Sequence, residues 1–192
     1  MLENALIFLI ETILGLFTIA LLVRFYMQWA RAPQRNAIAD FVNALTNFAV
    51  LPARRVIPGW WGLDLATLTL AWVVQVIELI LVLVLSGYAM RADPGQAIAG
   101  MALLAFVRLI RLGLYVAMAV LIVQAVLSWV NPYSPVAALA NVLTRPFLRP
   151  FQRIVPTVGN VDLSPLVVIV ICQLLLMLPV AWLEMVFMRM LR

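Results

Sequence analysis

The chain has 192 residues, 66% of them apolar, and a mean hydropathy of +1.11, far above the roughly 45–50% apolar usage of soluble domains, so a soluble globular protein is excluded. Its formal charge of +5 comes from 13 arginines, with no lysine and no histidine, against eight carboxylates. In so apolar a chain that excess marks loops beside anionic lipid headgroups, and the soluble basic face of a nucleic-acid-binding protein is missing.

The N-terminus, M-L-E-N-A-L-I-F-L-I-E, lacks a positive n-region and an A-x-A cleavage site, so it reads as a retained span, not a signal peptide. Ala5 to Val23 is apolar apart from Glu11, Thr12 and Thr18, and about 20 such residues cross a bilayer core of roughly 30 Å. Arg24, Tyr26 and Trp29 then mark the interface. From Asn36 to Val50 the pattern changes. Ile38, Phe41, Val42, Leu45, Phe48 and Ala49 recur at helical spacing, with Asp40, Asn43 and Asn47 elsewhere on the wheel. This predicts an amphipathic helix capped by Asn36, too short to span, that lies in the interface or dips and returns, and that Pro52 ends. Arg54, Arg55, Pro58 and Trp60-Trp61-Gly62 lead back to the membrane. Leu63 to Tyr88 is a second span, with Gln75 and Glu78 inside it.

Met90 to Gly95 forms a turn-rich linker. Ala97 to Val130 would be about 50 Å long as one helix, which is too long for an upright span. The expectation is an interfacial lead-in bearing Arg108 and Arg111, followed by a third span from about Leu112 that Trp129 closes. Ser134-Pro135 reads as N-cap and N1 of a second amphipathic helix with Val136, Leu139, Ala140 and Leu143 on its stripe, broken by Pro146 and Pro150. Ser164-Pro165 opens a fourth span to about Met185, kinked by Pro179. Arg189 and Arg192 finish the chain in water or headgroups.

The chain repeats itself. Asn43, Thr46, Pro52, Arg55, Pro58 and Asp64 sit 98 positions before Asn141, Thr144, Pro150, Arg153, Pro156 and Asp162, and Trp29 sits 100 before Trp129. Self-similarity of this kind decides the architecture before any single element does. The expected fold is therefore all-α, with four transmembrane helices in two tandem parallel repeats, residues 1–90 and 97–192, joined by linker 91–96. Each repeat places an amphipathic Pro-rich segment between its two spans.

With S-W-x-N-P, N-x-L-T-x-P-F-L-x-P-F-x-R-x-x-P and D-x-S-P-L in place, the chain resembles the YggT family of membrane proteins, over both repeats. The first copy departs from the motif: Ala30 follows Trp29 with no Asn-Pro, Asn47 stands where Arg145 does, and Ala66-Thr67 replaces Ser164-Pro165. The resemblance implies a bacterial inner-membrane protein linked to osmotic-stress tolerance and potassium homeostasis. Thylakoid relatives of the family are linked to cytochrome b6 haem assembly, and others to cell division and nucleoid distribution. It implies no enzymatic reaction.

Arg153 and Asp162, like Arg55 and Asp64, are nine residues apart across a Pro-containing loop, a spacing that lets a guanidinium reach the carboxylate at the next helix start. The alternative is that the carboxylate serves the positive helix end while the arginine meets lipid phosphate. Glu11 and Glu78 lie inside apolar runs, where an ionisable group is costly and points to function by default. Arg111 matches Glu11 in the 100-residue register, so a pseudo-twofold arrangement would bring the two together. Gln75 and Gln173 match in the 98-residue register, and interhelical hydrogen bonding is their expected use.

Cys172, in I-V-I-C-Q-L-L, has no partner for an intrachain disulfide, and without histidine there is neither a zinc nor a bis-histidine haem site. No nucleophile and base can be assembled, since Ser128, Ser134 and Ser164 each have a helix-end explanation. No catalytic activity, cofactor or metal is expected. The partners are the bilayer and its anionic headgroups, with membrane-protein partners or self-association. Two rival functions stand beside the osmotic one: an ion transporter or channel subunit lined by Glu11, Gln75 and Glu78, and an assembly factor for membrane cytochromes. Eight arginines lie in the two Pro-rich loops and five on the other side, so the loops are expected in the cytoplasm and both termini outside.

Overall fold

A computed structural model describes residues 1–33, 35–59, 63–88, 93–153 and 162–191. Pro156, the Trp60-Trp61-Gly62 turn, and Met90 and Arg91 of the linker lie outside them. Among the described residues the only regular secondary structure is helix, with no strand. The helices are α1 (Leu2–Trp29), α2 (Ala37–Val56), α3 (Leu65–Leu85), α4 (Pro94–Val130), α5 (Pro135–Gln152), α6 (Ser164–Leu175) and α7 (Ala181–Arg189). α6 and α7 are joined through a π-helical turn, Leu176–Val180, that contains Pro179. A proline cannot supply its N–H to the helix ladder, and the break expected there takes this form. Four segments are long and apolar enough to cross a membrane: α1, α3, α4, and α6 through α7. The protein is an all-helical membrane protein.

Local chemistry sets most of the helix starts. Asn36 accepts the Ala39 N–H at 2.9 Å and Ser134 accepts the Ala137 N–H at 3.1 Å, the capping that free N-terminal amides require. Asp64 takes the same role for α3 through Thr67 N–H at 3.3 Å. Ser164 does not. It is already helical, its hydroxyl is buried without a partner, and Asp162 accepts its N–H at 2.8 Å. Leu163 is the N-cap and has no side-chain cap bond, and the Asp162 carboxylate takes the first helical N–H in its place.

Two helices run through prolines expected to end them. α2 continues to Val56 past Pro52, and α5 to Gln152 past Pro146 and Pro150. All three prolines are exposed. Each helix is continuous through its prolines. α4 is one continuous helix of 37 residues, about 55 Å at 1.5 Å per residue. Arg111 pairs with Glu184 of α7 and the charge of Arg108 acts on Glu78 and Glu184.

α1 packs most extensively on α3, and α4 contacts α3, α5, α6 and α7. α2 lies across α1: Ala39 shares a cluster with Met27, Val50 one with Leu21, and Phe48 stacks on Phe17 at 5.5 Å. Where α4 meets the C-terminus, a Cβ on Gly100 would lie 3.0 Å from Leu191 and 3.2 Å from Met190. This is the close approach that small residues permit between membrane helices. Lipid is as apolar as leucine, so these contacts stabilise through fit, and the polar links decide which helices pair.

Candidate functional site: two polar layers

The first layer sits at the loop end of the spans. Arg24 of α1 is buried and donates to Thr46 Oγ1 at 2.6 Å and Asn47 Oδ1 at 2.9 Å on α2. Thr46 donates its own hydroxyl to the Val42 carbonyl at 2.7 Å. Arg54, at the far end of α2, bonds Asp64 through Nε at 3.1 Å and Nη2 at 2.5 Å, and touches Gln28 of α1 at 3.3 Å. Thr67 also donates its hydroxyl to Asp64. Burial alone would raise the Asp64 carboxyl. The hydrogen bonds from Arg54 and Thr67 and the Arg54 charge outweigh it, and hold that carboxyl below the usual carboxylate range. The pairing expected of Arg55 thus belongs to Arg54. Successive helical residues point about 100° apart, and it is residue 54 that faces α3.

The second copy has the same outline with different chemistry. Gln124, which matches Arg24 in the 100-residue register, donates to Asn141 Oδ1 at 3.2 Å. Thr144 is buried and bonds the Ala140 carbonyl at 2.9 Å. Gln152, the match of Arg54, donates to Asp162 at 2.8 Å, so here too the contact falls one residue before the expected Arg153. Burial would again raise the Asp162 carboxyl, but hydrogen bonds from Ser164 and Gln152 bring it below the usual range. A polar cavity of about 320 Å³ opens beside Gln124, Asn141, Thr144, Arg145 and Gln152. Arg145, Arg149 and Arg153 are exposed along α5. Arg55, Pro58 and Trp129 are exposed as well, and Asn43 is half-buried.

The second layer lies within the spans, toward the chain termini. Gln75 donates to Glu78 at 2.6 Å, both buried on α3. Arg111 of α4 forms an ion pair with Glu184 of α7, and the charge of Arg108 acts on both Glu78 and Glu184. Glu11, exposed on α1, is near enough to act on Glu78. Glu11 and Arg111 are therefore not brought together, since Arg111 turns to Glu184. Gln173, the match of buried Gln75, is exposed. Sequence reasoning passed over Arg24, Arg54, Gln124, Gln152 and Glu184. The 98- and 100-residue registers pair the first four among themselves, and that was the available signal.

The fold and these layers define a multi-span helical membrane protein whose polar side chains knit its helices together. Two separate stretches, residues 3–85 and 103–183, match the CCB3/YggT family model. The chain belongs to the CCB3/YggT family. It is 35% identical over 179 residues to an uncharacterized protein of Pseudomonas aeruginosa, covering 92% of this chain and 89% of that one. It is 34% identical over 169 residues to the uncharacterized protein YggT of Escherichia coli K12, covering 88% and 85%. A Vibrio alginolyticus protein is 32% identical over 169 residues, covering 87% and 89%. No solved structure matches the chain.

Proposed function

We propose that the protein is a non-enzymatic component of the bacterial cytoplasmic membrane, built of two tandem repeats, that supports osmotic-stress tolerance and ion homeostasis by engaging lipid headgroups or membrane-protein partners at its loop face. The observation that carries this reading is the asymmetry of the loop layer. In the first copy two arginines are engaged within the protein, Arg24 on α2 and Arg54 on Asp64, while Arg31, Arg35 and Arg55 are exposed. In the second copy glutamines make the internal contacts and Arg145, Arg149 and Arg153 stand exposed, Arg145 beside a polar cavity. A row of exposed guanidinium groups on an interfacial helix suits phosphate-bearing headgroups. The double match to one family model supports the duplication. The arginine bias places the loops in the cytoplasm.

The test is complementation of a deletion strain under hyperosmotic growth, with membrane abundance measured alongside. Arg149→Glu and Arg153→Glu should impair growth at normal abundance, and Arg55→Glu should be milder. Wild-type growth of both α5 variants would overturn the reading. Thiol labelling at Arg35 and Asp93 on a Cys172→Ser background checks the orientation, with position 93 expected to react in intact cells and position 35 not.

A second reading, an ion path, draws on the buried Gln75–Glu78 pair inside a span with Arg108 in reach. It predicts cation flux in liposomes that Glu78→Gln abolishes, and a stronger growth defect for that change than for any loop variant.

A further inference from the structure

The two copies of the repeat are not packed alike. At many positions where one copy is buried against the other, the match is open, although Ala39 and Leu21 are buried and so are their matches Ala137 and Leu121. On α3, Leu79 is 0% exposed, whereas Met177, 98 positions on, is 64% exposed. Gln75 is buried and Gln173 exposed, and Leu68 and Trp72 are half-buried where Leu166 and Val170 are open. These positions form one helical stripe at spacings of three and four. On α4, Leu109 is 4% exposed and its match Leu9 on α1 is 51% exposed, and Ala105 and Val116 are buried where Ala5 and Leu16 are open. The amphipathic helices repeat the pattern: Leu143 is 5% exposed and its match Leu45 is 40% exposed.

The reason lies in how the copies touch. Tyr26 of α1 hydrogen-bonds the Leu143 carbonyl of α5 and stacks on Phe147 at 5.7 Å. A two-fold relation between the copies would also set Val126 of α4, the match of Tyr26, against Leu45 of α2. Instead Val126 is exposed. The contact is heterologous, so it leaves one donor face and one acceptor face unused. The donor face comprises Val126 and Trp129 with Leu166, Gln173 and Met177. The acceptor face comprises Leu9 and Leu16 with Phe41 and Leu45.

We propose that a second copy of this chain covers these faces, head to tail, so that the donor face of one molecule seats on the acceptor face of the next as the first repeat already seats on the second. The proposal rests on the tandem-repeat reading above. Lipid is a poor occupant for the donor face because it carries Gln173 within a span, and such a group seeks a protein partner. Inside the chain its match has one, since Gln75 bonds Glu78. Both copies of the repeat enter the membrane from the same side, so the contact propagates from molecule to molecule as a rotation about the membrane normal.

Thiol cross-linking of the full chain in native membranes, on a Cys172→Ser background, tests this. Two differently tagged copies are co-expressed, one carrying Val126→Cys and the other Leu45→Cys, both at exposed positions that tolerate the change. A short bis-maleimide should give on the order of tenfold more mixed than like-with-like product, as a heterologous interface requires. The internal pair Tyr26→Cys with Leu143→Cys should link within one chain. Like-with-like product equal to the mixed product would overturn the head-to-tail contact. No product between copies, with the internal pair linking, would mean that lipid covers the faces and self-association is wrong. Failure of the internal pair would instead remove the repeat packing on which the proposal rests, and the proposal with it.

Discussion

Arg54 and Asp64 form an ion pair across the loop between α2 and α3 in which the carboxylate side chain is 3% exposed and the guanidinium 41%. That imbalance decides what each change does. Removing the arginine strands a buried carboxylate with only Thr67 beside it, whereas the neighbouring Arg55 gives up nothing but solvent and headgroup contacts. Arg54→Ala should cost about 1–2 kcal/mol, discounted because the guanidinium side is open to water. Arg55→Ala should stay within about 0.5 kcal/mol. Thermal unfolding of the two variants in detergent checks the order, and equal effects would contradict the assignment to residue 54.

The same carboxylate sets an acid limit. Its folded pKa lies below the unfolded value, so the stability it contributes is fully present above about pH 4, the ordinary aspartate range, and is lost as pH falls through the depressed folded value. Asp162 acts in the same direction. Acid titration of the unfolding temperature should therefore show a fall below about pH 4. Asp64→Asn should flatten that fall while lowering stability near neutrality.

Arg111 and Glu184 bind α4 to α7 inside the membrane. Breaking such a pair from one side leaves an unpaired charge and costs about 3–5 kcal/mol, while replacing both partners by apolar groups is close to neutral. Arg111→Leu and Glu184→Leu should each destabilise strongly, and the double variant should recover most of the loss. A double-mutant cycle by denaturant titration reads the coupling, and additive losses would show that the pair contributes no interaction.

Gly100 permits the C-terminus to lie against α4. A valine there would overlap Leu191 and Met190, and overpacking of this kind costs about 1–3 kcal/mol. Gly100→Val should lower the unfolding temperature, while Gly113→Ala, where a Cβ meets nothing within 4 Å, should leave it unchanged or raise it slightly. Equal behaviour of the two would remove the packing argument.

Much of this protein was determined by its sequence alone. Apolar run length dictated the four spans, because a bilayer of fixed thickness admits no other use for such segments. Asn36 and Ser134 announced their helices, since a cap is a contact between residues three apart and needs no tertiary partner. The stripes on α2 and α5 were equally local. The tertiary structure decided everything that depended on a second helix. Helical periodicity places Arg54 and Arg55 about 100° apart but cannot say which direction α3 occupies. It puts Arg111 on one face of a helix without choosing between Glu11 and Glu184. It makes Gln75 and Gln173 look equivalent, although one is buried and the other open. Proline was misread for a related reason: its cost in an isolated helix is local, but packing against a neighbour can keep a helix continuous, as in α2 and α5. Sequence periodicity carries the angle around one axis, and only the packing of several axes supplies the partner.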